Sequence, residues 1–279
     1  MWLPWDFALW LAAALFVVAT VLRRIGRLER VRPVTQEAAI VLVLYATWRR
    51  LGDVELMGVG GAMGRGRWVW DVERWLHLPN EVTLQHWCAH ATWLFRFANV
   101  YYIIFHVAPL GVFLVWLFFR HRERYAFWRN QLAFVSLTCI MIQFIPLAPP
   151  RMFPNLGFID AGLVYGPTVY RRVDAGSLGQ LAAMPSMHVA WALVIGLAAV
   201  TASKSRWRWL VLLHPILTVF AVTVTGYHWL LDGIVAAALL GVGLGLAVIV
   251  PRLPVVTRRV VAPAFGQAGS LNTGSRFSK

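Results

Sequence analysis

Two short stretches combine histidine with residue types suited to phosphate chemistry, and each lies at the edge of a long apolar run. The first is Met184-Pro185-Ser186-Met187-His188, and the second is Gly226-Tyr227-His228-Trp229-Leu230-Leu231-Asp232. Ionisable side chains are costly beside membrane-length apolar segments and usually have a function there. The chain between the two stretches is long enough to cross a membrane, turn at residues 203–206 and return. We therefore expect His188 and His228 to meet on one face, where two imidazoles and a carboxylate favour phosphoryl transfer.

The spacing within the second stretch predicts how one histidine is activated. In a helix that begins near Tyr227, His228 and Asp232 occupy positions i and i+4 on one face, about 6 Å apart at Cβ. The carboxylate then accepts a hydrogen bond from one imidazole nitrogen, which leaves the other nitrogen to attack phosphorus. Gly226 allows a turn between two helices. His188 faces His228 from the neighbouring helix and is placed to protonate a leaving oxygen.

Three groups are candidates for binding the phosphate. Pro185 suits the first turn of the helix that contains His188, and the N–H groups at that helix start would form an anion seat. The Ser186 hydroxyl is an additional donor. Arg151 directly follows an apolar run, and its guanidinium is well shaped to clamp phosphoryl oxygens. The alternative is that Arg151 only anchors the helix end at the membrane interface.

The composition indicates a membrane protein. The 279 residues are 59% hydrophobic and include 15 tryptophans, with a mean hydropathy of +0.63. A soluble domain is usually about 45–50% apolar. The net charge of +14 does not indicate nucleic-acid binding, because the arginines lie in short clusters between apolar runs, a pattern typical of membrane topology. The two cysteines, Cys88 and Cys139, cannot form a disulfide framework.

The apolar runs predict an all-α, polytopic membrane bundle of about six to seven transmembrane helices. The runs cover residues 7–22, 38–52, 98–119, 131–147, 187–202, 209–225 and 229–250. Basic clusters follow the first, third, fifth and seventh runs, so alternating crossings place all four clusters in the cytoplasm. The 148–185 loop and His228 then lie on the outer face of a multi-pass cell-membrane protein. Five arginines on the predicted outer side are exceptions to this charge pattern: Arg49, Arg50, Arg65, Arg67 and Arg74.

The chain divides into three predicted segments. Residues 1–97 contain the N-terminal spans, residues 98–250 form the catalytic bundle, and residues 251–279 are a basic tail that we expect to be disordered. Segment 53–97 is amphipathic and rich in tryptophan, which favours one or two helices in the headgroup region. Asn80 is expected to cap the second of these helices.

Several other polar residues have weaker signals. Asn99, Tyr102 and His106 recur at i, i+3 and i+7 near the outer end of the third run. We expect them either to contact a lipid headgroup or to form hydrogen bonds between helices. His86 and His90 have the spacing of a metal-binding pair, but the glutamate of the zinc-protease motif is absent. We therefore predict neither a metal nor a cofactor.

Two further features predict packing rather than chemistry. His214, beside Pro215, is expected to be a structural hydrogen-bonding residue within the membrane. Gly241 and Gly245 form a small-xxx-small pair, which predicts a close approach of another helix.

The Pro-Ser-x-His step and the His-x-x-x-Asp step, one helical hairpin apart, resemble the second and third motifs of the type 2 phosphatidic acid phosphatase superfamily. The resemblance covers roughly residues 98–250. It implies that His228 is the nucleophile and forms a phosphohistidine, that Asp232 orients it and that His188 protonates the leaving group. It also implies that Ser186 binds the phosphate.

The sequence departs from the phosphatase motifs at two places. When Arg151 is aligned with the arginine of the first motif, Phe144 stands where the family has lysine and Met152 where it has proline. Residues 221–222 are Ala-Val where the third motif begins with Ser-Arg. Arg171 and Arg172 are candidates to replace the two missing cations. The pattern is more similar to the branch with inositolphosphorylceramide and sphingomyelin synthases, whose members move a phospho-headgroup between alcohols.

The leading hypothesis is a membrane lipid phosphatase or phosphotransferase that passes a group from a lipid phosphoester to water or an alcohol. Its expected partners are the lipid substrate and the bilayer, without nucleic acid, and the oligomeric state stays open. The alternative is a transporter or channel with a histidine proton relay, which would require polar residues in mid-span as well. A serine hydrolase that uses Ser186 lacks the Gly-x-Ser-x-Gly context. A noncatalytic scaffold would leave the paired histidines unexplained.

Overall fold

The computed structural model describes residues 3–25, 31–52, 60–105, 107–167 and 180–249. These residues form eleven α-helices with short 3-10 turns, and the only strand-like pairing among them is an isolated bridge between Leu147 and Ala182. The helices are α1 (Trp5–Ile25), α2 (Val31–Gly52), α3 (Ala62–Trp75), α4 (Glu81–Ala89), α5 (Thr92–Ile104), α6 (Ala108–Arg120), α7 (Arg122–Gln143), α8 (Ala161–Tyr165), α9 (Met187–Ala202), α10 (Leu213–Val224) and α11 (Leu230–Ile249). The all-α prediction is confirmed for this part of the chain. The predicted tail, residues 251–279, lies outside it.

Three helical segments are long and apolar enough to cross a membrane: Trp5–Ile25, Arg206–Val224 and Leu230–Ile249. Helices α5 and α6 would form a fourth crossing as a pair bent by 49°, so the third predicted run is two helices instead of one. Helix α9 is apolar but has only 16 residues. The protein is therefore membrane-embedded, with three to four candidate spans by length and composition. The count of six to seven stays a prediction, because α2 and α7 include many polar residues.

Helix α9 lies at the centre of the main core. It packs against α7, α10 and α11, and buried residues occur around its whole circumference, including Val189, Trp191 and Val194. A helix that is apolar on all sides is stable only when other helices surround it. The indole N–H of Trp191 donates to the Ser136 hydroxyl of α7 over 2.9 Å. The helix that begins beside His188 is therefore held rigidly on several sides.

The amphipathic segment forms two helices, as predicted. Asn80 caps α4, because its side-chain oxygen accepts hydrogen bonds from the N–H groups of Val82 and Thr83. Trp68, Trp75 and Trp87 are exposed on these helices, as expected for residues in a headgroup region. The interfacial location and the boundary between residues 97 and 98 stay predictions. Both helices also contact the later part of the chain, with α3 against α11 and α4 against α10.

The glycines of α11 correct one packing prediction. A Cβ atom built on Gly241 or Gly245 would have no neighbour within 4 Å in the described part of the chain. Among the described residues, no helix approaches closely at these two glycines. The close approach occurs at Gly243 instead, where a Cβ would lie 2.6 Å from the Gln131 side chain and 2.7 Å from Phe134 of α7. The sequence spacing identified the helix with the glycine contact but selected the wrong face.

Candidate active site

The hairpin of α9, α10 and α11 brings the two histidine stretches together. The imidazole rings of His188 and His228 lie 5.6 Å apart between centroids and are tilted by 59°. The backbone N–H of Ser186 donates to the Asp232 carbonyl over 3.2 Å, so the start of α9 is bound directly to the first turn of α11. The expected meeting of the two histidines is thus observed.

His228 lies in a tight turn before α11. Gly226 adopts φ +72°, in the left-handed region that favours glycine, and the N–H groups of Tyr227 and His228 both bond to the Val222 carbonyl. Helix α11 begins only at Leu230. The helix therefore begins three residues after the Tyr227 near which it was predicted to start, because the turn that ends α10 uses residues 225–228.

The orientation of the His228 ring also differs from the prediction. Its Nδ1 atom lies 2.6 Å from the Ala183 carbonyl, whereas the nearest Asp232 oxygen is 3.4 Å away. A carbonyl can only accept, so Nδ1 donates the hydrogen and Nε2 retains a lone pair. The predicted tautomer is obtained, but the main partner is a backbone carbonyl and the carboxylate is a second, longer contact.

Asp232 has a structural contact in addition to its contact with His228. The side chain is fully buried, and Oδ2 accepts the backbone N–H of Trp229 over 2.8 Å. This bond is the half of a capping box in which an acidic side chain of the first turn reaches back to the residue before the helix. Asp232 thereby ties the conformation of the His228 turn to α11.

His188 lies in the first turn of α9 and is held by aromatic rings. Ser186 is the N-cap, and its Oγ accepts the Val189 N–H over 3.4 Å. Pro185 precedes this cap, so its predicted place inside the first turn was wrong. The His188 ring stacks on Tyr102 at 4.1 Å, and Tyr102 in turn contacts Tyr227 at 4.4 Å between ring centroids. Tyr102, a predicted substrate-binding residue, is thus adjacent to the histidine pair.

Arg151 lies beneath the turn that contains His228. It is 7% exposed, and its guanidinium is 4.8 Å from the centre of the Tyr227 ring. Its Nη2 donates to Gln180 over 3.1 Å, Nε lies 3.7 Å from an Asp160 oxygen, and its backbone N–H donates to the Gly226 carbonyl over 2.9 Å. Arg151 is therefore a buried arginine next to the histidine turn and not an exposed anchor, and its phosphate-binding role stays a prediction.

The remaining predicted ligands are placed differently. Asn99 is buried on α5 and donates to the carbonyls of Ala161 and Gly166 at 2.9 and 3.2 Å. It therefore binds the loop that contains α8, which agrees with the structural alternative rather than with headgroup contact. His106, Arg171 and Arg172 lie outside the described residues, and their roles stay predictions.

Two other histidines have protein partners. His86 Nε2 lies 3.1 Å from the Gly157 carbonyl, and His214 Nδ1 lies 2.6 Å from the Tyr101 hydroxyl. The second contact agrees with the predicted structural role of His214. Within the described ranges, no group of three His, Cys, Asp or Glu residues could hold a metal ion.

Sequence reasoning missed three buried polar residues of α3 and α4. Glu73 and Glu81 accept the backbone N–H groups of Leu231 and Leu230 at 2.7 and 3.2 Å. The Gln85 side-chain N–H groups donate to the carbonyls of Ile159 and Val224, and its side-chain oxygen accepts the Ile159 N–H. One signal was available: Glu73 follows the buried Val69 by four residues, so it lies on the apolar face of α3.

Comparison with known proteins agrees with this geometry. The family model described as the PAP2 superfamily matches residues 67–246, which is more than half of the chain and begins within α3. No curated protein and no solved structure matches the chain. Members of this superfamily generally act as phosphatases or in phosphoryl transfer. The chain, with its paired histidines at the start of two apolar helices, belongs to the PAP2 superfamily.

Proposed function

We propose that the protein is a membrane enzyme that cleaves a lipid phosphoester through a phosphohistidine or a diester-linked histidine at His228. One observation supports this most directly. The Ala183 carbonyl holds Nδ1 at 2.6 Å, while the His188 ring lies 5.6 Å away between centroids. One imidazole therefore has a nucleophilic lone pair, and a second imidazole is close enough to act on the same phosphoryl group.

The reaction follows in two balanced steps. The Nε2 lone pair of His228 forms a bond to phosphorus as the bond to the leaving oxygen breaks, and His188 gives that oxygen its proton. In the second step, His188 takes the proton of a water or alcohol whose oxygen attacks phosphorus. The nitrogen–phosphorus bond breaks, and His228 regains its lone pair. The Ala183 carbonyl stabilises the positive charge that the imidazole acquires in between.

The supply of positive charge favours a diester substrate or a transferase. Arg151 is the cation observed beside the His228 turn, and Ser186 contributes a hydroxyl at the start of α9. The lysine and second arginine of the phosphatase motifs are replaced by Phe144 and by Val222. A phosphodiester has one negative charge fewer than a monoester at neutral pH and needs fewer cations. This is the chemistry of the synthase branch that the motifs resemble.

The lipid is expected to reach the site from the outer leaflet of the cell membrane. With the seven alternating crossings that the sequence predicts, the basic clusters would lie on the opposite side of the membrane from His228, and the positive-inside rule would assign that side to the cytoplasm. The substrate-binding set then comprises Arg151, Ser186 and Tyr102, together with Arg171 and Arg172 of the outer loop. No cofactor takes part in the proposed steps.

Turnover by the purified protein on lipid phosphates and phosphodiesters, with and without alcohol acceptors, tests the proposal. We expect His228→Ala to abolish turnover and His188→Ala to lower it by about 10²–10⁴-fold. His90→Ala, at an exposed histidine at the end of α4, is the control and should leave turnover unchanged. Wild-type turnover by the His228 variant would refute the assignment.

The products separate the two activities. A new lipid product in the presence of an alcohol identifies a transferase, and free phosphate alone identifies a phosphatase. Activity is expected to survive EDTA, and its loss would restore the His86 and His90 pair as a candidate metal site. Substrate flux in proteoliposomes without phosphoester turnover would instead support the transporter alternative.

A further inference from the structure

Three consecutive backbone N–H groups at the start of α11 each bond to a different carboxyl group. Trp229 donates to Asp232 over 2.8 Å, Leu230 to Glu81 over 3.2 Å and Leu231 to Glu73 over 2.7 Å. The first partner belongs to α11 itself, whereas the other two come from α4 and α3. The N–H groups of a first helical turn have no partner within the helix. Here the amphipathic helices of the N-terminal part provide two of the partners.

These carboxyl groups are buried together with little positive charge. Glu73 and Glu81 are 0% and 1% exposed, and Asp232 is fully buried. Arg74 is the cation beside them, 3.2 Å from Glu81 and 4.0 Å from Glu73. A helix N-terminus adds about half a positive charge. Three ionised carboxylates would therefore exceed the available positive charge.

The excess negative charge of the three carboxyl groups is removed when Glu73 remains protonated. Burial raises the pKa of Glu73 well above its ordinary value, and the hydrogen bond and negative charge of Glu81 raise it further. The bond from the Leu231 N–H acts in the opposite direction, and the charge of Asp232 adds to the rise. The proton on Glu73 can then be donated to Glu81, while Oε1 still accepts the Leu231 N–H.

We propose that Glu73 and Glu81 are positioning residues that hold the first turn of α11, and with it the His228 imidazole, in the reactive arrangement. The inference rests on the proposed role of His228. The bonded N–H groups belong to Leu230 and Leu231, two and three positions after His228. Trp229 is the residue between His228 and these two. Trp229 is fully buried, and its indole N–H donates to the Ala148 carbonyl over 3.0 Å. Loss of either carboxyl would release this turn, and a shift of about 1 Å at a reacting group can cost about 10²-fold in rate.

Substitutions at Glu73 distinguish positioning from simple stabilisation. Glu73→Ala removes the acceptor of the Leu231 N–H. Glu73→Gln keeps a carbonyl oxygen for that bond, and its amide can donate to Glu81 as the protonated carboxyl does. Glu81→Gln instead leaves one acceptor oxygen where the carboxylate has two, so the Leu230 N–H and Arg74 can no longer both be satisfied, and the partner charge of Arg74 is lost. A positioning role predicts that Gln restores function at residue 73 but not at residue 81.

The experiment measures kcat, KM and thermal unfolding of these variants in detergent. We expect Glu73→Ala to lower kcat by about 10- to 100-fold with KM changed less than about three-fold, because substrate binding groups are untouched. Glu73→Gln should recover most of that loss, and Glu81→Gln should not. Asp71→Ala is the matched control, since Asp71 is an exposed carboxylate of the same helix that pairs with Arg67.

The pH profile of kcat gives a second readout when it is restricted to pH values at which thermal unfolding shows that both proteins remain folded. In the wild type, kcat should fall at alkaline pH as Glu73 loses its proton, and Glu73→Gln should lack this fall. The groups that face Glu73 are Arg74 of its own helix, Glu81 of α4 and Asp232 of α11. A folded Glu73→Ala variant with wild-type kcat would overturn the proposal.

The remaining outcomes separate this inference from the proposed function. If Glu73→Ala does not fold, the Gln variants decide: a lower kcat for Glu81→Gln than for Glu73→Gln supports positioning, and equal values overturn it. Wild-type turnover by His228→Ala would overturn the proposed function and this inference with it. An inactive His228→Ala beside a fully active, folded Glu73→Ala would overturn only the positioning role.

Discussion

Gly226→Ala should weaken both the fold and catalysis, because this residue joins the Arg151 turn to the His228 turn. Gly226 has φ +72°, and an L-residue in the left-handed region costs about 1–2 kcal/mol. A Cβ atom there would lie 3.2 Å from the Arg151 Cβ, from the Arg151 nitrogen and from the Gln85 amide nitrogen. Two of these three neighbours cannot yield without moving the Arg151 backbone.

The expected loss follows from these contacts. Strain and crowding together predict a decrease of about 2–3 kcal/mol in the free energy of unfolding. The Arg151 N–H bonds to the Gly226 carbonyl over 2.9 Å, so any displacement also moves Arg151 relative to the histidines. A shift of about 1 Å predicts a fall in kcat of about 10²-fold.

Denaturant unfolding in detergent and steady-state turnover measure the two effects. Gly241→Ala is the control, because its Cβ would meet no atom within 4 Å and alanine is favoured by about 0.5–1 kcal/mol inside a helix. We expect the control to be as stable as the wild type or more so. A Gly226→Ala protein with wild-type stability and turnover would refute the reasoning from the left-handed turn.

Two further substitutions test individual contacts. Tyr102→Ala removes the ring that stacks on His188 at 4.1 Å, so kcat should fall by about 10-fold. Tyr102→Phe keeps the ring and should retain more of the kcat. Equal turnover of the two variants would count against a role for the stacked ring. Burial and Glu81 raise the pKa of Glu73 from 4.5 to about 9. The contribution of protonated Glu73 to the free energy of unfolding should therefore be complete below pH 4.5 and lost as the pH rises towards 9. In that range the free energy of unfolding should fall by up to about 1.4 kcal/mol per pH unit. Unfolding of Glu73→Gln across this range should lack that slope, and a slope identical to the wild type would show that another group is responsible.

The long-range contacts of the site could not be predicted from local patterns. Asn80 was recognised as a helix cap because a cap depends on residues two and three positions away. Glu81 bonds to an N–H group 149 positions away, and Glu73 to one 158 positions away. The local pattern predicts only that both residues lie in interfacial helices of segment 53–97, where charged side chains are usually solvated.

The sequence by itself determined the apolar helices, the pairing of two histidine stretches across one hairpin and the family to which those stretches belong. These features depend on hydrophobic periodicity and on residue spacing, which can be read locally. Only the tertiary structure decided that the Ala183 carbonyl orients His228, and that carboxyl groups of α3 and α4 cap α11. A backbone carbonyl has no residue type that marks it, and a buried N–H group takes whichever acceptor the packing brings within reach.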